Sequence, residues 1–119
     1  MSRAALDARD ALPLSAATFH ILLALAGGER HGYGVIKEVE AQTGGTVKLG
    51  PGTLYRLIKQ LQNDGWIAEV EGDDNDDERR RYYRLMPRGR RIAQAEAQRL
   101  EELVRVARSR RLLPSLASA

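Results

Sequence analysis

Residues 50–65, GPGTLYRLIKQLQNDG, form the stretch around which the rest of the chain is organised. Their leucines and isoleucine recur at i, i+3, i+4 and i+7, the spacing of one buried face of an α-helix. Gly50 and Pro51 suit the start of such a helix, and Gly65 suits its end. The apolar face comprises Leu54, Leu57, Ile58 and Leu61, and the opposite side carries Gly52, Arg56, Lys59 and Asn63, flanked by Thr53, Tyr55 and Gln60.

The polar side of this helix admits two interpretations. Arg and Lys bind guanine edges and phosphates, and Asn and Gln bind adenine, so these side chains match those that recognise DNA. An amphipathic helix with two basic residues is also a common surface helix without a ligand. The neighbouring segments have to decide between the two.

Length and composition limit the class of protein. At 119 residues the chain is expected to form one domain with a modest core. It has no cysteine, no phosphate-binding loop and only the histidines His20 and His31, so we expect no enzyme, no metal site and no cofactor. No stretch resembles a signal peptide or reaches the about 20 apolar residues of a membrane span, so a cytoplasmic protein is expected.

Charge in this chain is segregated rather than large. The net charge is +3, yet seven of the 16 arginines lie between Arg79 and Arg91. Six acidic residues at positions 71–78 immediately precede them. Such segregation indicates a functional surface, although a solvated loop of mixed charge fits the same pattern.

The segments before residue 50 predict two helices. Ser15 is a good N-cap for the first, which Gly27 and Gly28 end. A second helix is expected from about residue 33 to residue 43, and the alternating stretch at 46–49 predicts a short edge strand. A short helix followed by an amphipathic helix with a basic free face is the layout of a helix-turn-helix.

After residue 65 the sequence predicts a β-hairpin and a long helix. Strands at 66–71 and 80–86 would form a wing, with Trp66 and one of Tyr82 and Tyr83 in the core. A helix at 88–111 would be about 36 Å long, longer than so small a domain can cover. Its apolar seam favours pairing with a second copy, and folding back on its own domain is the alternative. The seam residues are Ile92, Ala93, Ala97, Leu100, Leu103, Val104 and Ala107.

The expected fold class is mainly α with a small β-hairpin (α+β): a winged helix-turn-helix with a long C-terminal dimerisation helix. We expect a flexible N-terminal arm at 1–13, the winged helix-turn-helix domain at 14–87, the dimerisation helix at 88–111 and a frayed tail at 112–119.

Three segments resemble the PadR family of bacterial transcriptional regulators: HGYGVIKEVE, GTLYRLIKQLQNDGWI and RRRYYRL followed by RGRR. The resemblance covers about residues 14–107, and the single C-terminal helix is similar to that of the smaller PadR-like subfamily. It implies a homodimeric repressor of a palindromic DNA operator, relieved by a small-molecule effector. The residues that match the family's DNA-contacting motif are Tyr33, Thr53, Tyr55, Arg56 and Lys59, with the wing arginines Arg79, Arg80 and Arg81 near the DNA backbone.

Some positions depart from the family pattern. Gly50 stands where a capping serine is frequent, and Met86-Pro87 replaces a Thr-Glu pair, which leaves proline at a tolerated first-turn position. The acidic wing tip argues against minor-groove insertion, so we expect only the base of the wing to touch phosphate.

The competing interpretation is a winged-helix module that binds protein without operator binding. Such a module should expose aliphatic side chains where this chain has Arg56, Lys59 and Asn63. These three residues therefore favour double-stranded DNA as the partner.

Overall fold

The computed structural model describes residues 8–71 and 81–116 of the chain. Its order of elements confirms the expected fold class, helical with a small antiparallel sheet. The elements are α1 (Ala16–Ala26), β1 (Arg30–His31), α2 (Gly32–Gln42), α3 (Pro51–Asn63), β2 (Ile67–Val70), β3 (Tyr82–Leu85) and α4 (Pro87–Ser109).

Local sequence sets the helix ends. Ser15 caps α1, and its Oγ accepts the N–H of Thr18 at 3.1 Å, which satisfies one of the donors that a helix start leaves free. α3 begins at Pro51 after Gly50, an N-cap that supplies no side-chain hydrogen bond. Beyond α3, Gly65 has a φ of 76°, a left-handed conformation that glycine adopts without strain.

The wing is a hairpin extended by a third strand. β2 and β3 are antiparallel, with Ile67 opposite Leu85, and β1 pairs with the other edge of β3 to give the order β1-β3-β2. The strand expected at 46–49 is wrong, because those residues are irregular. The additional strand is Arg30–His31, which lies against β3 and finds hydrogen-bonding partners there.

The hydrophobic core is built from α1, α2, α3 and the sheet. All four residues of the apolar face of α3 belong to it, and Trp66 packs against its edge. Tyr83 is 4% exposed, so the expected core position of Trp66 and one wing tyrosine is confirmed. The largest fully buried hydrophobic side chains are Ile21, Leu22, Val35, Val39, Leu54 and Ile58.

α4 begins on the domain and then leaves it. Gly89, Ile92 and Glu96 are buried, whereas every residue from 101 to 106 is exposed. At Gly89 the helix approaches the chain before β2 so closely that a Cβ atom would meet the carbonyl oxygen of Trp66. The second half of α4 therefore projects beyond the core.

Both ends of the chain are described in part. Of the arm expected at 1–13, residues 8–10 are helical and Ala8 is 4% exposed. Of the tail expected at 112–119, residues 112–116 are described. There the N–H of Leu112 donates to the carbonyl oxygen of Ala107 at 2.9 Å, which holds the start of the tail against the end of α4.

Candidate nucleic-acid interface

α3 presents a continuous polar face to solvent. Its apolar residues are between 0 and 7% exposed, so one side fixes the helix and leaves the other free. Nothing lies within 4 Å of the position where Gly52 would carry a Cβ atom, so the start of this face is open to close approach. The α3 residues predicted to contact DNA all lie on the exposed side: Thr53, Tyr55, Arg56, Lys59 and Asn63.

The start of α2 brings aromatic and basic groups beside this face. His31 is the N-cap, and its Nδ1 accepts the N–H of Gly34 at 3.0 Å. The ring of Tyr33 stacks on His31 with a centroid distance of 6.4 Å, and Lys37 Nζ lies 5.3 Å from the centroid of Tyr33. Hydrogen bonding to Tyr33 raises the pKa of Lys37.

Gly32 joins α2 to α3. A Cβ atom at this position would lie 2.8 Å from Cζ of Tyr55, so the tyrosine packs directly on the glycine backbone. Tyr55 is 51% exposed and keeps part of its ring available on the polar side of α3. The close approach of the two helices thus depends on the missing side chain of Gly32.

The base of the wing completes the surface. Arg81 lies immediately before β3, and its Nε is 3.6 Å from a carboxylate oxygen of Glu69 on β2. Burial raises the pKa of the Tyr83 hydroxyl, and the carboxylate of Glu69 adds to that rise. Arg79, Arg80 and the acidic tip at 73–78 lie outside the described residues.

A cavity of about 250 Å³ lies where α2, α3 and the wing meet. It brings together three residues that the sequence predicts for DNA contact, one from each of these elements. The sequence did not place the other wall residues, His31 and Gly32, among the DNA contacts, and it assigned one of Tyr82 and Tyr83 to the core rather than to a site. The cavity is lined by His31, Gly32, Tyr33, Tyr55, Arg81 and Tyr83.

The predicted dimer seam divides into a covered and an uncovered part. Ile92 is 4% exposed and Ala93 packs against the core, so Ile92 departs from the prediction because its own domain already covers it. Leu103 and Val104 are 53% and 40% exposed. Ala97 is exposed, and Leu100 and Ala107 are half-buried.

One buried carboxylate on α4 was not predicted. Glu96 is 1% exposed and accepts a hydrogen bond from the backbone N–H of Leu14 at 2.5 Å and another from Arg99. Burial acts to raise the pKa of Glu96, but the bonds from Arg99 and Leu14 lower it more. The signal in the sequence is the i+4 step from Ile92, which places Glu96 on the covered face of the helix.

Within residues 8–71 and 81–116, the acidic and histidine side chains form no group able to hold a metal ion. The same residues contain no helix that combines the length and the apolar character needed to cross a membrane.

A core-anchored helix with a free polar face, the capped helix in front of it and the three-stranded wing define a winged helix-turn-helix protein. The family model of the PadR-like transcriptional regulators matches residues 21–95. The chain therefore belongs to the PadR-like family of transcriptional regulators and is not an enzyme.

Individual relatives agree with this assignment. The chain is 34% identical over 91 residues to the transcriptional regulator Rv3488 of Mycobacterium tuberculosis, which covers 76% of this chain and 81% of the relative. A PadR family transcription regulator of Clostridium difficile R20291 superposes with a TM-score of 0.68 at 20% identity, covering 80% of this chain and 97% of that one. PadR of Bacillus subtilis, in complex with operator DNA, gives a TM-score of 0.59 at 20% identity, and the superposition covers 67% of this chain and 46% of that one. The two structural likenesses establish the shared fold.

Proposed function

We propose that this chain is a sequence-specific DNA-binding repressor that acts as a homodimer on a palindromic operator and is released by a small-molecule effector. The observation that carries the proposal is the polar face of α3. It is exposed along its length while the opposite face is buried in the core. In a winged helix-turn-helix, this is the helix that lies in the major groove.

The polar face supplies both kinds of DNA contact. Arg56, Lys59 and Asn63 provide the donors and acceptors that distinguish base pairs at their major-groove edges, with Thr53 and Tyr55 beside them. Tyr33 and the arginines at the wing base contact phosphates and set the register of the helix. Because each phosphate contact by a cation displaces counterions, the affinity should fall steeply with salt.

The homodimer is proposed from the projecting half of α4. Leu103 and Val104 are 53% and 40% exposed, and a second copy of the same helix covers such a seam with matching side chains. Pairing through α4 places two copies of α3 about 34 Å apart, one turn of DNA, which requires a palindromic operator.

The seam has its own test. In analytical ultracentrifugation we expect wild type to sediment as a dimer and Leu103→Arg as a monomer, because the arginine would bury charge in the seam. Glu101→Arg is the matched control, since Glu101 is exposed on another side of the same helix. Wild type that stays monomeric at all concentrations would refute the homodimer.

Repression and its relief complete the proposal and rest on the family resemblance. An effector that lodges between the dimer helices and the core would change the spacing of the two copies of α3. The operator has fixed half-sites, so a change in spacing lowers affinity without touching the DNA-contacting residues.

The DNA-binding proposal is tested by fluorescence anisotropy with DNA from the chain's own promoter, over a range of salt concentrations. Wild type should bind tightly with a steep negative salt slope, and Arg56→Ala should weaken binding by about 1–3 kcal/mol and lose preference at the base pair that Arg56 reads. Arg105→Ala removes the same charge from α4, where Arg105 pairs with Glu102 of its own helix, and should bind as wild type.

The outcomes separate the two functions considered for this chain. Equal, weak binding by wild type and Arg56→Ala on promoter DNA and on genomic fragments would contradict DNA recognition by α3. The protein-binding module would then be favoured.

A further inference from the structure

We propose that Glu96 is a positioning residue: the hydrogen bond that it accepts from the N–H of Leu14 sets the direction of α4 relative to the domain, and through it the spacing of the two copies of α3 on the operator. This inference rests on the proposed function and deepens it, because it assigns the geometry of the proposed homodimer to one contact within each chain.

Glu96 joins two elements that are far apart in the sequence. Its Oε2 accepts the N–H of Leu14 at 2.5 Å, and Leu14 directly precedes Ser15, the N-cap of α1. Its Oε1 accepts a hydrogen bond from Arg99, which lies about one turn further along the same helix and holds the carboxylate in place. Each oxygen therefore has a donor, and one of the two donors belongs to the start of α1.

The stability of the fold alone does not account for a carboxylate at this position. Glu96 is 1% exposed, and no other charged residue within residues 8–71 and 81–116 is buried. Replacing a buried ion pair by apolar side chains of similar volume is often neutral or stabilising. A hydrogen bond has a preferred distance and angle, whereas an apolar contact is not directional. The carboxylate therefore supplies a directional contact that apolar packing would not.

The direction of a rigid helix is fixed by contacts at two separate points. α4 meets the chain before β2 at Gly89, where a Cβ atom would overlap the carbonyl oxygen of Trp66. Glu96, about two turns further on, is the last buried residue of the helix. The first contact holds α4 on the wing and the second holds it on the start of α1. Loss of the second contact would leave α4 free to tilt about the first.

The projecting half of α4 amplifies a small tilt. From Gly89 to Ser109, the last residue of α4, the helix rises about 30 Å, so a tilt of about 10° moves its end by about 5 Å. In the proposed dimer each copy of α3 lies about 17 Å from the dyad, half of one DNA turn. The same tilt moves each copy by about 3 Å, close to the rise of one base pair.

The direction of α4 can be measured within one chain from the distance between two spin labels by electron paramagnetic resonance. The chain contains no cysteine, so Gln60→Cys on α3 and Ser109→Cys at the end of α4 give one defined pair of labels at exposed positions. An excess of unlabelled protein suppresses pairs between chains. Wild type should give one narrow distance distribution. Glu96→Met keeps a side chain of similar size without a strong acceptor, and it should shift or broaden the distribution by at least about 3 Å.

Two further variants separate position from stability. Glu96→Gln keeps a carbonyl oxygen that can accept the N–H of Leu14, so it should retain the wild-type distribution although it lowers the midpoint of unfolding. Val39→Ala removes buried volume from α2 and should lower the midpoint without broadening the distribution. Wild-type distances in Glu96→Met would overturn the proposal, and so would equal broadening in Glu96→Gln or in Val39→Ala.

Operator binding supplies a readout that a purely structural role would not move. Fluorescence anisotropy compares the palindromic operator from the chain's own promoter with a duplex that carries a single half-site. Two correctly spaced copies of α3 bind the palindrome more tightly, because the second contact forms within the same complex. Glu96→Met should bind the palindrome about tenfold more weakly than wild type and the single half-site with unchanged affinity. Val39→Ala should bind both duplexes as wild type does.

The outcomes are distinguishable from failure of the proposed function. If wild type gains no affinity from the second half-site, the proposed dimer on a palindrome has failed and the spacing role of Glu96 falls with it, whatever the spin-label distances show about α4. If wild type gains affinity and Glu96→Met gains as much, positioning by Glu96 is overturned and the proposed function stands.

Hydrogen exchange tests the bond itself in the unaltered chain, where no variant can fail to fold. Leu14 lies outside every helix and strand, so its amide proton owes no protection to a helix or a sheet. If Glu96 holds it, this proton should exchange at least about tenfold more slowly than in an unstructured chain. Exchange at the rate of an unstructured chain would overturn the proposal.

Discussion

Replacing Gly89 by alanine tests the closest approach between α4 and the rest of the domain. A Cβ atom at Gly89 would overlap the carbonyl oxygen of Trp66 and lie 2.9 Å from Cδ1 of Leu85. The Trp66 oxygen also accepts the N–H of Met86 at 2.9 Å. The backbone contact therefore cannot open without straining the hydrogen bond that joins the residue before β2 to the N-cap of α4.

The magnitude follows from two opposed effects. Adding a methyl group to a closely packed contact costs about 1–3 kcal/mol, and weakening the Trp66–Met86 hydrogen bond adds up to about 1 kcal/mol. Alanine in a helix recovers at most about 1 kcal/mol relative to glycine. We expect Gly89→Ala to lower the free energy of unfolding by about 2 kcal/mol.

Gly52→Ala is the matched control, since Gly52 is also in the first turn of a helix that begins with proline. Nothing lies within 4 Å of its Cβ position, so the same substitution should stabilise the protein by a few tenths of a kcal/mol to about 1 kcal/mol.

Urea unfolding at one fixed protein concentration measures both variants, with far-ultraviolet circular dichroism and the fluorescence of Trp66, the only tryptophan, as probes. The midpoint for Gly89→Ala should fall by about 1 M. A Gly89→Ala variant as stable as wild type would refute the reasoning.

Three further predictions concern stability. The hydrogen bonds to Glu96 lower its pKa below the ordinary 4.5, so the carboxylate stabilises the fold fully above the unfolded pKa and loses that effect as the pH falls through the folded pKa. In urea unfolding, Glu96→Gln should therefore lower the midpoint at pH 7 and flatten the loss of stability below about pH 4.5. A pH profile identical to that of wild type would contradict this role. Ser15→Ala should cost about 1 kcal/mol because Thr18 N–H loses its acceptor, measured by the same unfolding, with Ser15→Asp as a cap-preserving control that should stay near wild type. Leu54→Ala should cost about 2–5 kcal/mol because Leu54 is fully buried, and a loss below 1 kcal/mol in thermal unfolding would show that α3 is not anchored by this residue.

Some features of the fold were predictable because they depend on neighbours in sequence. The period of about 3.6 residues fixed which side of α3 is buried, and all four predicted apolar residues are in the core. The N-cap at Ser15 and the start of α3 at Pro51 depend on the backbone of the next few residues. Such short-range requirements can be read from one segment at a time.

The strand predicted at 46–49 is wrong because strand formation depends on residues distant in sequence. That stretch alternates as a strand does, but it has no partner strand and stays irregular. Arg30–His31 is too short to show any period, yet it is a strand because the edge of β3 lies beside it. Strand formation depends on a partner distant in sequence, so neither outcome was available from local pattern.

The sequence alone determined the helix that carries the polar face, the long C-terminal helix and the family resemblance, because periodicity and motif order are properties of the chain. Only the tertiary structure decided which residues share one site. Tyr33, Tyr55, Arg81 and Tyr83 are spread over 51 positions in sequence, and they line one cavity because the close packing of Tyr55 on Gly32 and the pairing of β1 with β3 bring three elements together. The burial of Glu96 was decided in the same way, since its partner Leu14 lies 82 residues away.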